Sequence, residues 1–324
     1  MPTAHGDADW LAAAGRLAGR GRPLSRPNPA VGVLIVKEDV VVGRGWTQPG
    51  GRPHAEAMAL EQAGEAAVGA TIFVTLEPCA HVSARGPACS DLIVFIRPAA
   101  VVIGVTDPDP RTAGAGIARM REAGIEVRQV QSETASASLS GYLTQRRLGR
   151  PHVTLKLAAS RNGRLARPAC EPQWITGKAA RAHVHARRAE CDAILVGGGT
   201  WRADQPRLDV RLPGLEDRSP RRFVLTSGQV PEGVTAIRAP EEIRTLDSIR
   251  YLYVEGGAQT ATSFLDAGLV DRVELYSAPF DIKSGSNVIS ELGLADLAKL
   301  PDQWQHADHR QLGSDIFDAY ERRV

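Results

Sequence analysis

Hydrophobic positions in the first half of the chain fall into short β-branched runs alternating with alanine-rich helical spacings. Residues 9–19 are rich in Ala and Leu and end in the Gly/Arg/Pro punctuation of residues 19–29, which predicts a helix followed by a loop. Runs at 31–36 and 40–45, separated by Lys37-Glu38-Asp39, predict a hairpin. Ala55, Met58, Ala59 and Ala63 keep helical spacing up to the breaks at Gly64 and Gly69, with Pro53 expected in the first helical turn. Strands are expected at 71–76 and 101–105, an apolar segment at 91–95, and a further helix over 117–122. That alternation predicts a layered α/β domain.

The character changes after Leu148-Gly149-Arg150-Pro151, which has the composition of a linker. Strands are predicted at 153–157, 193–196, 223–226 and 251–254, with an Ala/Arg helix at 178–188. Two of these strands run into Gly197-Gly198-Gly199-Thr200 and Glu255-Gly256-Gly257, where backbone N–H groups can approach a phosphate. Neither run is a Walker A loop, since Gly177-Lys178 continues into Ala179, and no G-x-G-x-x-G fingerprint is present. The residues alone indicate a nucleotide-binding α/β domain and no more.

Composition narrows the field. A chain of 324 residues points to two domains, here 1–148 and 149–324. The net charge of +2, the absence of a Lys/Arg block and 5% aromatics argue against a nucleic-acid partner. Residues 1–10 lack the charged and apolar regions of a signal peptide. No apolar run approaches the roughly 18 residues needed to span a bilayer. Four cysteines are too few for a disulfide scaffold of this size, so a cytoplasmic protein with metal-binding thiols, and no membrane partner, is expected.

Candidate chemistry centres on His54-Ala55-Glu56, Pro78-Cys79 and Cys89. One imidazole and two thiols with an open fourth position suit a catalytic zinc, whereas a structural zinc is closed by four ligands. His81 is the nearest candidate for such a fourth ligand. His54 and Glu56 are two residues apart, about 200° around a helix, so they are poorly placed to be adjacent ligands. One can bind the metal while the other addresses its water. The order His-x-Glu, Pro-Cys, Cys resembles the zinc nucleoside-deaminase signature.

Further motifs extend the resemblance along nearly the whole chain. They are PNPAVG (27–32), PHAE (53–56), GAT (69–71), TLEPC (75–79), DPDP (107–110), KLAAS (156–160), WITG (174–177), VGGGTWRADQPRL (196–208) and VEGG (254–257). Together they resemble the bacterial bifunctional riboflavin-biosynthesis enzymes, a pyrimidine deaminase fused to a pyrimidine reductase. The resemblance implies an N-terminal cytidine-deaminase-like three-layer domain and a C-terminal dihydrofolate-reductase-like domain, both α/β. It implies one Zn2+ per chain on His54, Cys79 and Cys89, with Glu56 as catalytic proton shuttle. The implied deaminase substrate is a diaminopyrimidinone ribosylamino 5′-phosphate, met by Asn28, His81, Arg85 and Asp107. NADPH would then reduce the ribosyl group to ribityl. By motif position it would contact Ala158, Trp174, Thr200, Asp204 and Ser227, with Gly257, Ala258, Gln259, Thr260, Ala261, Thr262 and Ser263 around its phosphates. Arg188, Leu208, Arg211 and Glu255 would hold the reductase substrate, and a homo-oligomer is expected.

The chain departs from the family pattern at five places. Thr47 stands for a usual histidine, Asp109 for the Asn of DPNP, and the Cys79–Cys89 interval is one residue longer. Ser160-Arg161-Asn162-Gly163 replaces S-L-D-G, and Cys170-Glu171-Pro172 replaces Gly-Glu-Ser. All five touch substrate recognition and none removes a zinc ligand or Glu56. Two rivals follow: a zinc deaminase of a related pyrimidine or nucleoside with a weak reductase, and a non-catalytic zinc-stabilised nucleotide-binding module. A structural or sensory zinc has no need of a proton shuttle, which favours catalysis.

Overall fold

The computed structural model describes residues 5–81, 85–164, 175–283 and 302–323. The chain divides into two compact units, Met1–Leu148 and Gly149–Val324. Among the described residues no helix is long and apolar enough to cross a membrane.

Unit 1 is a five-stranded mixed sheet between helices. After α1 (Asp7–Ala18), strands β1 (Gly32–Lys37) and β2 (Val40–Trp46) form the expected hairpin. Its two-residue turn, Glu38-Asp39, has φ of 52° and 58°, the left-handed pair that matches strand twist. Helix α2 (Ala55–Ala63) leads to β3 (Thr71–Leu76), α3 (Cys89–Ile96), β4 (Ala100–Val105), α4 (Ala115–Glu122), β5 (Glu126–Gln129), α5 (Glu133–Ser138) and α6 (Ser140–Leu148). The strand order is β2-β1-β3-β4-β5, with β1 antiparallel to both neighbours and β3, β4 and β5 parallel. Strands β1 and β3 are buried on both faces because helices cover both. On one face Leu11 and Ala14 of α1 meet Leu34, Val36, Phe73 and Val102. On the other, Ala55, Ala59 and Leu60 of α2, Ile93 of α3 and Met120 of α4 meet Val33, Ile35, Ile72, Val74 and Ile103.

Two features of α2 set the site. A Cβ on Gly45 would lie 2.1 Å from Ala55 O, so only glycine lets the helix start sit directly on β2. Pro53, expected inside the first turn, lies outside it. His54 takes the extended cap conformation (φ −68°, ψ 159°), and the helix begins at Ala55.

Unit 2 is an eight-stranded sheet of order β12-β13-β11-β6-β10-β7-β8-β9. Its elements are β6 (His152–Ser160), α7 (Lys178–Arg188), β7 (Ala193–Gly197), α8 (Gly198–Asp204), β8 (Arg221–Leu225), β9 (Val234–Ile237), β10 (Tyr251–Glu255), α9 (Ala258–Asp266), β11 (Arg272–Ala278), β12 (Trp304–Leu312) and β13 (Asp315–Arg322). From β11 to β9 the strands run parallel, and β13 and β12 add an antiparallel margin. Ala261 and Phe264 of α9 cover one face, and Ala180 and Val184 of α7 the other. The chain is thus a two-unit α/β protein, and the linker residues Leu148 and Gly149 straddle the division.

Candidate functional sites

In unit 1 the start of α2, the loop after β3 and the start of α3 bring His54, Cys79 and Cys89 together. Their ligand atoms all lie within 4.8 Å of one another. His54 Nδ1 is 3.2 Å from Cys89 Sγ and 3.7 Å from Cys79 Sγ. A tetrahedral zinc with ordinary bond lengths sets N···S separations of about 3.5 Å, so the three donors fit that ion. The hydrogen bond from Cys89, its backbone N–H at 3.3 Å and the nearby imidazole hold the Cys79 thiol down at about 4, a thiolate at neutral pH. Its partner Cys89 is pushed up by that same bond and by burial. Burial disfavours a charge on His54, but the Cys79 bond and the Glu56 carboxyl outweigh it and raise its pKa.

Glu56, at the second helical position of α2, is 5% exposed. Burial raises its carboxyl above the usual range, which brings it closer to neutral pH. On the far side of the imidazole, Asn28 Nδ2 lies 2.8 Å from His54 Nε2 and donates to Gly51 O at 2.8 Å. His81 Nδ1 is buried with no hydrogen-bond partner among the described residues. Arg85 donates to Gly50 O at 2.7 Å. Asp107 Oδ1 accepts from Tyr142 at 2.6 Å and from the Asp109 N–H at 2.9 Å.

One residue stands out that motif spacing alone left without a role. Glu77 is buried between β3 and α4, and its carboxylate accepts four backbone N–H groups. Oε2 takes Asp107 and Gly114 at 3.2 and 3.0 Å, and Oε1 takes Gly116 and Ile117 at 3.1 and 3.2 Å. Gly114 caps α4 without a side chain, so Glu77 supplies the missing cap from the loop after β3. It thereby ties the Cys79 loop to the turn carrying Asp107.

The unusual residues of unit 1 have local partners. The Thr47 hydroxyl accepts the Val31 N–H at 3.0 Å. Asp109 pairs with Arg111 at 2.7 Å and Arg146 at 3.4 Å, and the Arg111 bond holds its carboxyl at about 2. Residues 82–84, within the longer Cys79–Cys89 interval, lie outside the described residues.

In unit 2 the parallel strands gather the predicted cofactor residues at their carboxyl ends. Thr200 follows β7, Ser227 follows β8, and Gly257 with Ala258 follows β10. The contact is close: a Cβ on Gly197 would meet Thr260 Oγ1 at 2.2 Å, and one on Gly256 would meet Thr260 Cβ at 2.5 Å. The glycine run after β7 opens α8. Ala158 lies within β6, two residues before its end. Asp204 stands at the far end of α8, about 9 Å along its axis. Ala261 is buried in the core and its N–H bonds Gly257 O. Gln259, Thr262 and Ser263 continue α9. Trp174 and the segment Cys170-Glu171-Pro172 lie outside the described residues.

The four predicted substrate residues of unit 2 occupy one neighbourhood. Arg188 grips Glu255 with two bonds, at 2.6 and 3.0 Å, and donates to Asp209 O at 2.9 Å. Burial opposes the Glu255 charge, but Lys156 and Arg188 keep its carboxyl below the usual range. Leu208 is buried with φ 56°, and Arg211 Nε lies 3.3 Å from Asp209 Oδ1. Lys156, Asp209 and His185, whose Nδ1 is 3.1 Å from Asp209 O, join the cluster, although none of the three was assigned a site role from the sequence. Asn162, another departure, bridges strand ends by bonding Ile282 O and N.

Comparison with known proteins decides the family. Residues 5–105 match the cytidine and deoxycytidylate deaminase zinc-binding region, and residues 151–317 match the RibD C-terminal domain. The riboflavin biosynthesis protein RibD of Escherichia coli is 37% identical, with 96% of this chain and 98% of that one aligned. The chain belongs to the RibD family. RibD of Aquifex aeolicus is 35% identical over 90% of this chain and 92% of its own. Among solved structures, RibD of Acinetobacter baumannii has 32% identity and a TM-score of 0.78, covering 98% of this chain and 99% of its own. A diaminohydroxyphosphoribosylaminopyrimidine deaminase/5-amino-6-(5-phosphoribosylamino)uracil reductase of Thermotoga maritima has 30% identity and a TM-score of 0.82 with the same coverage. RibD membership makes the chain a two-activity enzyme of riboflavin biosynthesis, a zinc deaminase joined to a reductase. It also accounts for the cytidine-deaminase-like and dihydrofolate-reductase-like folds of the two units.

Proposed function

We propose that unit 1 hydrolytically deaminates a diaminopyrimidinone ribosylamino 5′-phosphate, and that unit 2 reduces the ribosyl group of the product to ribityl with NADPH. The observation that carries the first activity is the convergence of His54 Nδ1 with the two thiols Cys79 and Cys89, beside the buried carboxyl of Glu56. His54, Cys79 and Cys89 would hold the zinc, which when bound would supply a water acidic enough to yield hydroxide near neutral pH. Glu56 would take the proton of the attacking water as its oxygen adds to the amino-bearing ring carbon, and would pass it to the amino nitrogen, which leaves as ammonia; a carboxyl raised by burial is better matched to this than an ordinary one. Asn28 and Asp107 hold the pyrimidine, and His81 and Arg85 meet the phosphate. The unsatisfied Nδ1 of His81 supports that role, since a buried polar atom without a partner is costly until a ligand atom meets it.

In unit 2 the Gly256-Gly257 end of β10 and the first turn of α9 receive the NADPH phosphates. Ala158, Thr200, Ser227 and the α9 residues 257–260 are the best placed, and Trp174 and Asp204 complete the set carried over by motif. Arg188, Leu208, Arg211 and Glu255 hold the substrate, the arginines suiting its phosphate. The substrate is a small molecule, and a homo-oligomer in the cytoplasm is the setting we infer from the family.

The test is Glu56→Gln, with ammonia release and NADPH oxidation followed separately. Zinc content is expected to stay at one per His54 site, ammonia release to vanish, and NADPH oxidation on deaminated substrate to persist. Undiminished ammonia release would remove Glu56 from the mechanism. NADPH oxidation absent from the unaltered chain would remove the reductase.

A further inference from the structure

Strands β12 and β13 form one margin of the unit 2 sheet and carry a cluster that neither activity uses. His306 Nε2 lies 2.9 Å and His309 Nδ1 2.8 Å from the same atom, Asp318 Oδ1. Strand residues three apart face opposite sides of a sheet, so His306 and His309 should not meet. They do because the β12/β13 register shifts between His306 and Asp308: His306 pairs with Tyr320 and Asp308 with Ala319, leaving Ala307 as an extra residue. Such a bulge re-aims the side chains that follow it. It turns His309, whose ladder partner is Asp318, to the same face as His306.

The cluster is open to solvent yet held in place. The imidazoles are 45% and 59% exposed and the carboxylate 21%, so an ion can enter and keep water ligands. The His306 ring packs 5.0 Å from the Tyr320 ring, which restricts one imidazole. Neighbouring Asp308 is neutralised by Arg310 at 2.7 Å. Four strand spacings, about 19 Å, separate β12 from β10 and its Glu255 cluster.

We propose that His306, His309 and Asp318 form a second metal site, which binds a divalent first-row transition ion of the zinc and nickel class at the surface of unit 2. Two imidazole nitrogens and one carboxylate oxygen select such ions over magnesium and calcium, which prefer all-oxygen shells. A tetrahedral ion needs N···O separations of about 3.3 Å, so the present contacts need open only by a few tenths of an ångström. With ligands from both strands, the ion clamps the marginal strand β12 to β13.

Equilibrium dialysis of the full-length chain against about 10 µM zinc tests this, with metal counted per chain in the parent, in His309→Ala and in Asp318→Asn. The parent is expected to hold one zinc more than either variant, and the variants to bind that zinc at least about tenfold more weakly. Ammonia release should be equal in all three. Cobalt gives an independent reading: the ion lost in the variants should carry no thiolate charge-transfer band, unlike one at His54, Cys79 and Cys89. The readout is the difference between parent and variant, so a failure of the His54 site leaves it interpretable. Equal zinc content in parent and both variants, or loss of a thiolate-bound ion in them, overturns the proposal.

Discussion

Replacing Glu77 by Gln should loosen unit 1 far more than the loss of one charge at a surface would. Each carboxylate oxygen accepts two backbone N–H groups, Asp107 and Gly114 on one, Gly116 and Ile117 on the other. A glutamine offers one oxygen and one NH2, so either way round two buried donors lose their acceptor and face another donor. Hydrogen bonds to a charged acceptor contribute about 1.5–3 kcal/mol each, and a buried donor left unpaired costs about 1–3 kcal/mol. The expected loss is about 3–6 kcal/mol. In urea, at an m-value of about 2 kcal/mol/M, that moves the midpoint down by about 1.5–3 M. Amide exchange localises the effect: Gly116 and Ile117 should lose protection while amides of β10 in unit 2 keep theirs. Zinc should also be held less firmly, because Cys79 follows Glu77 by two residues. An unfolding free energy within about 1 kcal/mol of the parent, with Gly116 and Ile117 still protected, would refute the borrowed-cap argument.

Glu274 offers a pH test in unit 2. It is fully buried between Arg187 at 2.8 Å and Arg272 at 3.0 Å, and accepts from the Tyr253 hydroxyl at 2.9 Å. Burial opposes its charge, but the two arginines win and hold the carboxyl at about 2, below its ordinary 4.5. Its contribution is therefore fully present above about pH 4.5 and lost as pH falls toward 2. Glu274→Gln should cost about 3–5 kcal/mol at neutral pH and flatten that acid limb in a denaturation series. An unchanged acid limb in the variant would assign the loss to other groups. Arg188→Lys keeps the charge but loses the two-pronged grip on Glu255, so the Michaelis constant for the reductase substrate should rise at least about tenfold, about 1.4 kcal/mol, with zinc content unchanged. Gly256→Ala places a methyl 2.5 Å from Thr260 Cβ, and fluorescence titration should show NADPH bound at least about tenfold more weakly. Parental affinity there would argue against the β10–α9 junction as the phosphate site.

The sequence by itself pointed to two α/β units, to the strands that carry the sites and to the hairpin, and it named His54, Cys79, Cys89 and Glu56 as candidates, of which the fold brings the first three together. These follow from local periodicity and from residue types whose chemistry has few alternatives. Strands β5, β9, β11, β12 and β13 escaped notice: β5 and β9 have only four residues, and charged and polar residues interrupt the apolar runs of β11, β12 and β13; helix α8 escaped because it opens with glycines. Proline placed the start of α2 two residues too early, since the extended conformation of His54 decides where the helix begins. Only the tertiary structure joined Glu77 to α4, 37 to 40 residues away. It also paired Arg188 with Glu255 across 67 residues. Periodicity holds no information about such distances, because a buried charge finds its partner only after the sheet has set strand order. The bulge at Ala307 is the same case on a smaller scale: one unpaired residue, invisible in the alternation, decides which face His309 shares.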